Sequence, residues 1–295
     1  MIPHDSLRNR YEARGILRLE TALHVGSGIA SATTDAEVVR DFLGQPIIPG
    51  SSLKGALRSA VERRAEWLNL TACKLEPGNK MCLTTNQVPD APTPVAKELA
   101  PDNEGRRWRE QPLEWRLRQM EKNLCHVCQT FGSTVFGGKI QVDDLPLLSE
   151  LASIADTLIE IRDGVGIDRD SGTAVDGIQF DYQVVPAVAM FRFYLTAENL
   201  DPASLALLSL GLLEMSNGAV SLGGKTTRGL GRVNLLLDDL RYFNFADPDE
   251  AARNAALMDY LQGQGENHQV GDPREFLSRQ VRQFLEGQNA QASAE

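Results

Sequence analysis

Four cysteines carry the most restricted chemistry in this 295-residue chain. Cys125 and Cys128 enclose a Cys-x-x-Cys run, and Cys73 and Cys82 form a wider pair earlier in the sequence. A zinc ion takes four thiolates in a tetrahedron, and two local pairs brought together by a loop supply that set. The Cys125/Cys128 half has the spacing of such sites; the other half is wider than usual. Buried thiols or a redox pair are the alternatives. Zinc held by Cys73, Cys82, Cys125 and Cys128 has no open position for a substrate, so its expected role is structural. His126 then lies inside the ligand loop without being a ligand.

Two further stretches carry phosphate chemistry. In 46-PIIPGSSLKGALRSAVERRA-65 an apolar run meets a helical pattern at Ser51 and Ser52. The free N–H groups of a helix start favour an anion, and Lys54 and Arg58, four apart, share one helix face. The full Gly-x-x-x-x-Gly-Lys-Ser/Thr spacing is absent, which excludes a nucleoside triphosphate loop. In 222-LGGKTTRGLGRV-233, the glycines Gly223, Gly224, Gly229 and Gly231 let backbone approach a phosphate beside Lys225, Arg228 and Arg232. That run leads into a strand, so it is not the dinucleotide fingerprint. A solvated basic face for the first stretch and a tight connection for the second are the alternatives. Asp35 lies in the polar loop 26-GSGIASATTDAEVVRD-41. The chain has four histidines and no serine–histidine or histidine–carboxylate constellation. Chemistry here therefore depends on a carboxylate and a metal ion. The alternative for Asp35 is a turn or cap role.

A frame must position these residues. Leu17, Leu19, Leu23 and Val25 alternate with Arg18, Glu20 and His24, the period of a half-buried strand. From Ser51 the pattern is helical, with Leu53, Leu57, Ala60, Val61 and Ala65 on one face and Ser51 or Ser52 as N-cap. Residues 70–130 hold all four cysteines and six of the fourteen prolines, and read as an insertion with a short helix around 107–123. Residues 139–148 are strand-like, and 162–187 form a polar, glycine-bearing hairpin. A strand at 187–195, a helix at 202–216, a glycine loop at 218–231, a strand at 232–240 and a helical tail follow. Apart from the insertions, the order is strand–helix–strand twice. That is an α+β, ferredoxin-like or RNA-recognition-motif arrangement, divided into 1–69, 70–130, 131–240 and an acidic tail 241–295.

Composition narrows the class. The chain is 42% hydrophobic and 24% charged; no apolar run has the length of a membrane span, and a polar N-terminus places the protein in the cytoplasm. The net charge of −10 falls unevenly: from residue 238 onward eleven acids face five bases. A local basic groove for nucleic acid is compatible with the remainder.

Several motifs recur in a fixed order over about residues 12–240. They are Leu23-His24-Val25-Gly26, the aspartate loop, and Pro46-Ile47-Ile48-Pro49-Gly50-Ser51-Ser52-Leu53-Lys54-Gly55 with Leu57-Arg58. Then come Cys128-Gln129-Thr130-Phe131-Gly132-Ser133 before a strand with Asp143, the run from Gly166 to Ala174, and the loop 223–231. Together they resemble the RAMP superfamily, specifically the repeated backbone subunit of type III CRISPR effector complexes (the Csm/Cmr kind). The Ile-Pro-Gly-Ser-Ser-Leu-Lys-Gly block is the most specific part.

The resemblance implies a modified ferredoxin-like palm with a zinc-bearing insertion, a thumb β-hairpin at about 163–185 and a C-terminal helical tail without counterpart. It implies that Lys54 and Arg58 contact phosphates of a guide crRNA. His24, Ser51, Ser52, Arg169, Gly223, Gly224, Lys225, Arg228 and Gly231 are its further RNA-contacting positions. Copies stack along the guide, beside a large polymerase-like subunit, small helical subunits and other RAMP subunits. Asp35, followed by the matching step Val38-Val39-Arg40-Asp41, takes the catalytic position of a metal-dependent endoribonuclease. With a divalent cation such as Mg2+ it cuts complementary target RNA. The alternative within the family is a non-cleaving paralogue that only binds guide RNA and builds the filament. A guide-precursor processing enzyme leans on histidine or tyrosine, and the scarcity of histidine disfavours it.

Overall fold

The computed structural model describes residues 6–28, 34–73, 82, 111–133 and 136–292. In chain order the elements are β1 (Asn9–Leu19), β2 (Ile47–Ile48), α1 (Gly50–Glu62), α2 (Leu113–Asn123), α3 (His126–Phe131), β3 (Ile140–Val142), β4 (Leu145–Pro146), β5 (Glu160–Ile167), β6 (Ala174–Val184), β7 (Met190–Glu198), α4 (Pro202–Ser216), β8 (Val233–Asn244), α5 (Glu250–Leu261) and α6 (Pro273–Ala292). The chain is a mixed α+β protein with antiparallel sheets. Four strands form one sheet in the order β3-β7-β1-β8, and β2–β4 and β5–β6 are separate two-stranded ladders.

The central strand begins well before the alternation of residues 17–25 suggests. Tyr11, Ala13, Leu17 and Leu19 are its buried apolar side chains. Beyond Leu19 the chain leaves the sheet, and Leu23 pairs with Val185 through an isolated bridge. One period-2 pattern therefore spans two different pairings. In the β1–β8 ladder Arg14 faces Asp239 and Gly15 faces Leu237, so Asp238 is an extra, bulged residue. A Cβ on Gly15 would lie 2.1 Å from the Leu236 carbonyl oxygen, which is why glycine stands at the bulge.

Helices cover the face that Tyr11 and Leu17 share. α1 buries Leu53, Leu57, Ala60 and Val61. Gly211 on α4 admits it closely, since a Cβ there would lie 2.9 Å from Val61 Cγ2. Neither Ser51 nor Ser52 caps α1. The helix starts at Gly50 after Pro49, with no side-chain cap of its own, and Asp144 Oδ1 accepts the Gly50 N–H at 2.8 Å. The turn between β3 and β4 comes so near that a Gly50 Cβ would sit 2.2 Å from the Val142 carbonyl oxygen. α4 opens on Asp201, whose side chain accepts from Ser204 N, with Pro202 in its first turn.

The C-terminal segment is part of this helical layer. α6 buries Phe276 and Leu277, and Phe276 meets Tyr11 of the central strand at 6.5 Å between centroids. Further along, Gln288 donates to the Leu68 carbonyl at 3.0 Å and accepts from Asn69 Nδ2 at 3.0 Å. Among the described residues no helix is long and apolar enough to cross a membrane.

Candidate functional site

Strand β6 gathers one group of the residues singled out above. Side chains alternate along a strand, so Asp181 and Gln183 face one way and Phe180 and Tyr182 the other. On the first side runs the aspartate loop. The Asp35 N–H donates to Asp181 Oδ1 at 2.7 Å, and the Asp181 N–H donates to Asp35 Oδ2 at 3.1 Å. Asp35 is exposed, and its Oδ1 has no partner among the described residues. On the other side lies the glycine loop. Lys225 Nζ sits 4.3 Å from the Tyr182 ring centroid and 4.8 Å from that of Phe180, and the Arg228 guanidinium lies 5.9 Å from Phe180. These are cation–π distances.

His24 joins the two sides. It is buried; its Nδ1 meets the Gln183 carbonyl at 2.7 Å, and its ring stands edge-on to Tyr182. Gly224 N–H donates to the His24 carbonyl at 2.8 Å. A Cβ on Gly223 would lie 2.3 Å from the same oxygen, and one on Gly231 2.0 Å from the Leu222 carbonyl oxygen. Both have positive φ. Their glycines are therefore needed for close backbone packing, whatever the loop binds. Lys225 itself adopts φ 58°, a left-handed conformation uncommon for a side chain other than glycine.

The basic face of α1 makes a second group. Lys54 Nζ donates to the Ile140 carbonyl at 2.7 Å; burial, and next the charge of Arg58, hold its ammonium below the ordinary lysine range. Arg58 donates through Nε to Glu62 at 2.7 Å, through Nη1 to the Gly132 carbonyl at 2.8 Å and through Nη2 to Cys128 Sγ at 3.1 Å. Burial opposes its charge, but the hydrogen bond to Glu62 and the charge of Cys128 outweigh it and raise its pKa. Ser51 is exposed and Ser52 half-buried at the helix start.

Arg58 leads directly to the cysteines. Cys73, Cys82, Cys125 and Cys128 are all buried, and their four sulfurs lie within 4.8 Å of one another. A tetrahedral zinc with bonds of about 2.3 Å asks for sulfur–sulfur separations of about 3.8 Å; Cys73 and Cys128 stand at 3.6 Å. Hydrogen bonds from Cys128 and then Cys82 hold the Cys125 thiol well below the ordinary thiol range, while bonding to Cys125 pushes Cys82 and Cys128 up. Sulfurs competing in this way for protons, beside a fixed guanidinium, suit one shared cation. The donor set fits a metal ion such as zinc. His126 turns instead to Thr71, whose N–H donates to its Nδ1 at 3.1 Å.

The sequence pattern of the RAMP superfamily matches residues 16–234. The chain belongs to the RAMP superfamily. A 62-residue stretch is 40% identical to the CRISPR-system endoribonuclease Csm3 of Methanocaldococcus jannaschii, covering 20% of this chain and 25% of that protein.

In this RAMP protein the predicted site residues thus fall into groups. Asp35, His24, Gly223, Gly224, Lys225 and Arg228 converge on β6. Ser51, Ser52 and Lys54 lie in the first turns of α1, and Arg58, further along the helix, reaches Cys128 of the cysteine group. Arg169 stands apart in the exposed turn between β5 and β6, where Asp168 Oδ1 accepts from Asp170 N at 2.8 Å and Ser171 N at 3.1 Å. Sequence reasoning missed Asp181, Gln183 and the aromatic pair Phe180 and Tyr182. Their alternation in 180-FDYQ-183 was the available signal, but nothing local says which loops lie on each side.

Proposed function

We propose that this RAMP protein is a guide-crRNA-binding backbone subunit of a type III CRISPR effector complex in the cytoplasm, cleaving complementary target RNA through Asp35. The observation that carries this reading is the convergence on β6: one hairpin strand bears the aspartate loop on one side and the glycine-loop cations on the other. The four-stranded order β3-β7-β1-β8, antiparallel throughout, supports a ferredoxin-like palm. The β5–β6 ladder is then the thumb. It exposes Ile161, Val165, Ile167, Val175 and Ile178, an apolar surface suited to lie against unstacked bases. Lys54, Ser51 and Ser52 at the start of α1, together with Lys225, Arg228 and the tip residue Arg169, hold guide phosphates. Arg58 retains two guanidinium N–H groups for the same task. The four cysteines hold a structural zinc that fastens the insertion to α1.

Base pairing selects the target, and the protein reads backbone and shape. In the cleavage step the 2′-hydroxyl oxygen of the displaced nucleotide attacks its own phosphate. The O2′–P bond forms as the P–O5′ bond breaks, giving a 2′,3′-cyclic phosphate and a free 5′-hydroxyl. The 2′-hydroxyl loses its proton to water, and water returns one to the leaving oxygen. Asp35 orients the 2′-hydroxyl. A divalent cation such as Mg2+, which binds through one or two carboxylates plus phosphate oxygens, would be held by the same carboxylate and neutralise charge on the phosphate. Other copies of the chain, a large polymerase-like subunit, small helical subunits and further RAMP subunits complete the assembly.

Asp35→Ala in the assembled complex tests the reading. Target cleavage at the positions facing this subunit is expected to disappear while guide RNA is retained. Cleavage persisting at the parental rate at each of those positions would refute catalysis by Asp35 and leave the guide-binding, non-cleaving paralogue.

A further inference from the structure

The aspartate loop is fastened along β6, and the fastening is reciprocal. Asp35 and Asp181 each use a carboxylate oxygen to accept the other's backbone N–H, at 2.7 and 3.1 Å. Two residues on, the Gln183 N–H donates to the Ala36 carbonyl at 2.9 Å. The Gln183 side-chain oxygen accepts from Val38 N at 3.3 Å and from Arg40 Nη2 at 3.4 Å. Gln183 is buried and Asp181 half-buried. The loop therefore lies against the hairpin strand through backbone–backbone and side-chain bonds, 146 residues away in sequence at its tip. Two like charges placed this close repel one another; the backbone N–H groups that each carboxylate accepts offset that repulsion.

We propose that Asp181 is the positioning residue for Asp35. It fixes the loop so that Asp35 Oδ2 is tied to β6 while Oδ1 remains available, and it makes the orientation of Asp35 follow the hairpin. Gln183 serves the same purpose one pair further along. Because β5 and β6 register Asp163 opposite Asp181 and Ile161 opposite Gln183, a shift at the base of the hairpin moves the loop with it. A hairpin seated on RNA thus presents a fixed Asp35, and a displaced hairpin carries Asp35 away. The inference rests on the catalytic reading of Asp35, and its test separates the two.

The test compares Asp181→Ala, Asp181→Asn and Asp35→Ala in the guide-loaded complex, with single-turnover cleavage of a matched target RNA and amide hydrogen exchange over residues 34–40 as readouts. Asparagine keeps an oxygen that can accept the Asp35 N–H; alanine does not. Asp181→Ala is expected to slow cleavage by at least about tenfold, since misplacing a reacting group by about 1 Å can cost a hundredfold. Guide content and target affinity should hold, and exchange over 34–40 should rise. Asp181→Asn is expected to recover at least a third of the parental rate and parental exchange. Parental cleavage in Asp181→Ala overturns the proposal. So does an Asp181→Asn rate as low as that of Asp181→Ala, which would make Asp181 a direct participant. Normal cleavage in Asp35→Ala refutes the catalytic reading instead. Exchange then decides alone whether Asp181 holds the loop, and unchanged exchange in Asp181→Ala overturns the tether.

Discussion

Asp201→Ala should reveal how firmly the buried Lys139, just ahead of β3, is joined to the start of α4. Lys139 is buried, its side chain 6% exposed, and pairs with Asp201, which is 50% exposed. The Lys139 ammonium also donates to Ser204 Oγ at 2.9 Å, and that hydroxyl accepts from Thr130 Oγ1 at 3.0 Å. Asp201 additionally caps α4 by accepting Ser204 N–H at 2.8 Å. Removing one partner of a fully buried pair costs about 3–5 kcal/mol. Half of Asp201 faces water, so the charge part here is about 2 kcal/mol. The lost cap adds about 1 kcal/mol, for a total of about 3 kcal/mol at neutral pH. Lys139→Met removes the stranded charge at similar volume, so Asp201→Ala in that background should cost only the cap. Urea denaturation of the four proteins, followed by circular dichroism, gives the cycle, with an expected coupling of about 2 kcal/mol.

The same pair predicts a pH dependence. Burial works against ionisation of Asp201, but the hydrogen bond from Lys139, the Ser204 N–H and the Lys139 charge together outweigh it and hold the carboxyl below its ordinary value of 3.8. A lowered folded-state pKa contributes stability above the unfolded value, about 3.9, that is lost as pH falls through the folded one. The coupling should therefore shrink below about pH 3.9. Equal costs of Asp201→Ala in both backgrounds would refute the reasoning.

Two further substitutions probe α1. Arg58→Met removes the N–H donor at Cys128 Sγ and should weaken zinc retention by about tenfold or more, the usual effect of losing an outer-shell partner; competition with a chromogenic chelator reads this, and unchanged retention would dissociate Arg58 from the cysteine site. Gly50→Ala places a Cβ 2.2 Å from the Val142 carbonyl oxygen, forcing backbone to move; a loss of about 2 kcal/mol or more should appear as a lower melting temperature, whereas Gly55→Ala, inside α1 where the space is open, should gain about 0.5–1 kcal/mol from helix propensity.

Local chemistry was the legible part of this molecule. α4 runs over the residues its pattern implies because its signals are local: Asp201 as cap, Pro202 behind it, then a run rich in leucine and alanine. The four cysteines meet because soft, paired ligands announce their purpose by spacing. The cap of α1 was misread because its partner, Asp144, lies 94 residues away, and a serine at a helix start is the ordinary choice. The C-terminal helix reads as part of an acidic tail because acids outnumber bases eleven to five from residue 238 onward. Its apolar stripe of Phe276, Leu277, Val281, Phe284 and Leu285, which packs on the core, is sparse enough to be hidden. Asp181 was invisible for the same reason as Asp144, since a partner across the fold leaves no periodic trace. The segment 83–110 of the expected insertion, with the start of its helix at 107–110, lies outside the described residues.

The place of β1 in the sheet also sets a schedule. It is made before both of its partners, lying between β7 and β8 and pairing Arg10 with Glu198 and Asn9 with Asn244. At translation speeds of about 5–20 residues per second, its first partner emerges roughly 10–40 s after it does. Throughout that interval an alternating, apolar strand has both edges unpaired, the state most open to wrong pairing. Closing the sheet then needs contacts about two hundred residues apart, which makes folding slow relative to helical proteins of this size. Rapid overexpression should therefore favour aggregates of incomplete chains, whereas slower synthesis in the cold weakens the hydrophobic attraction that drives them.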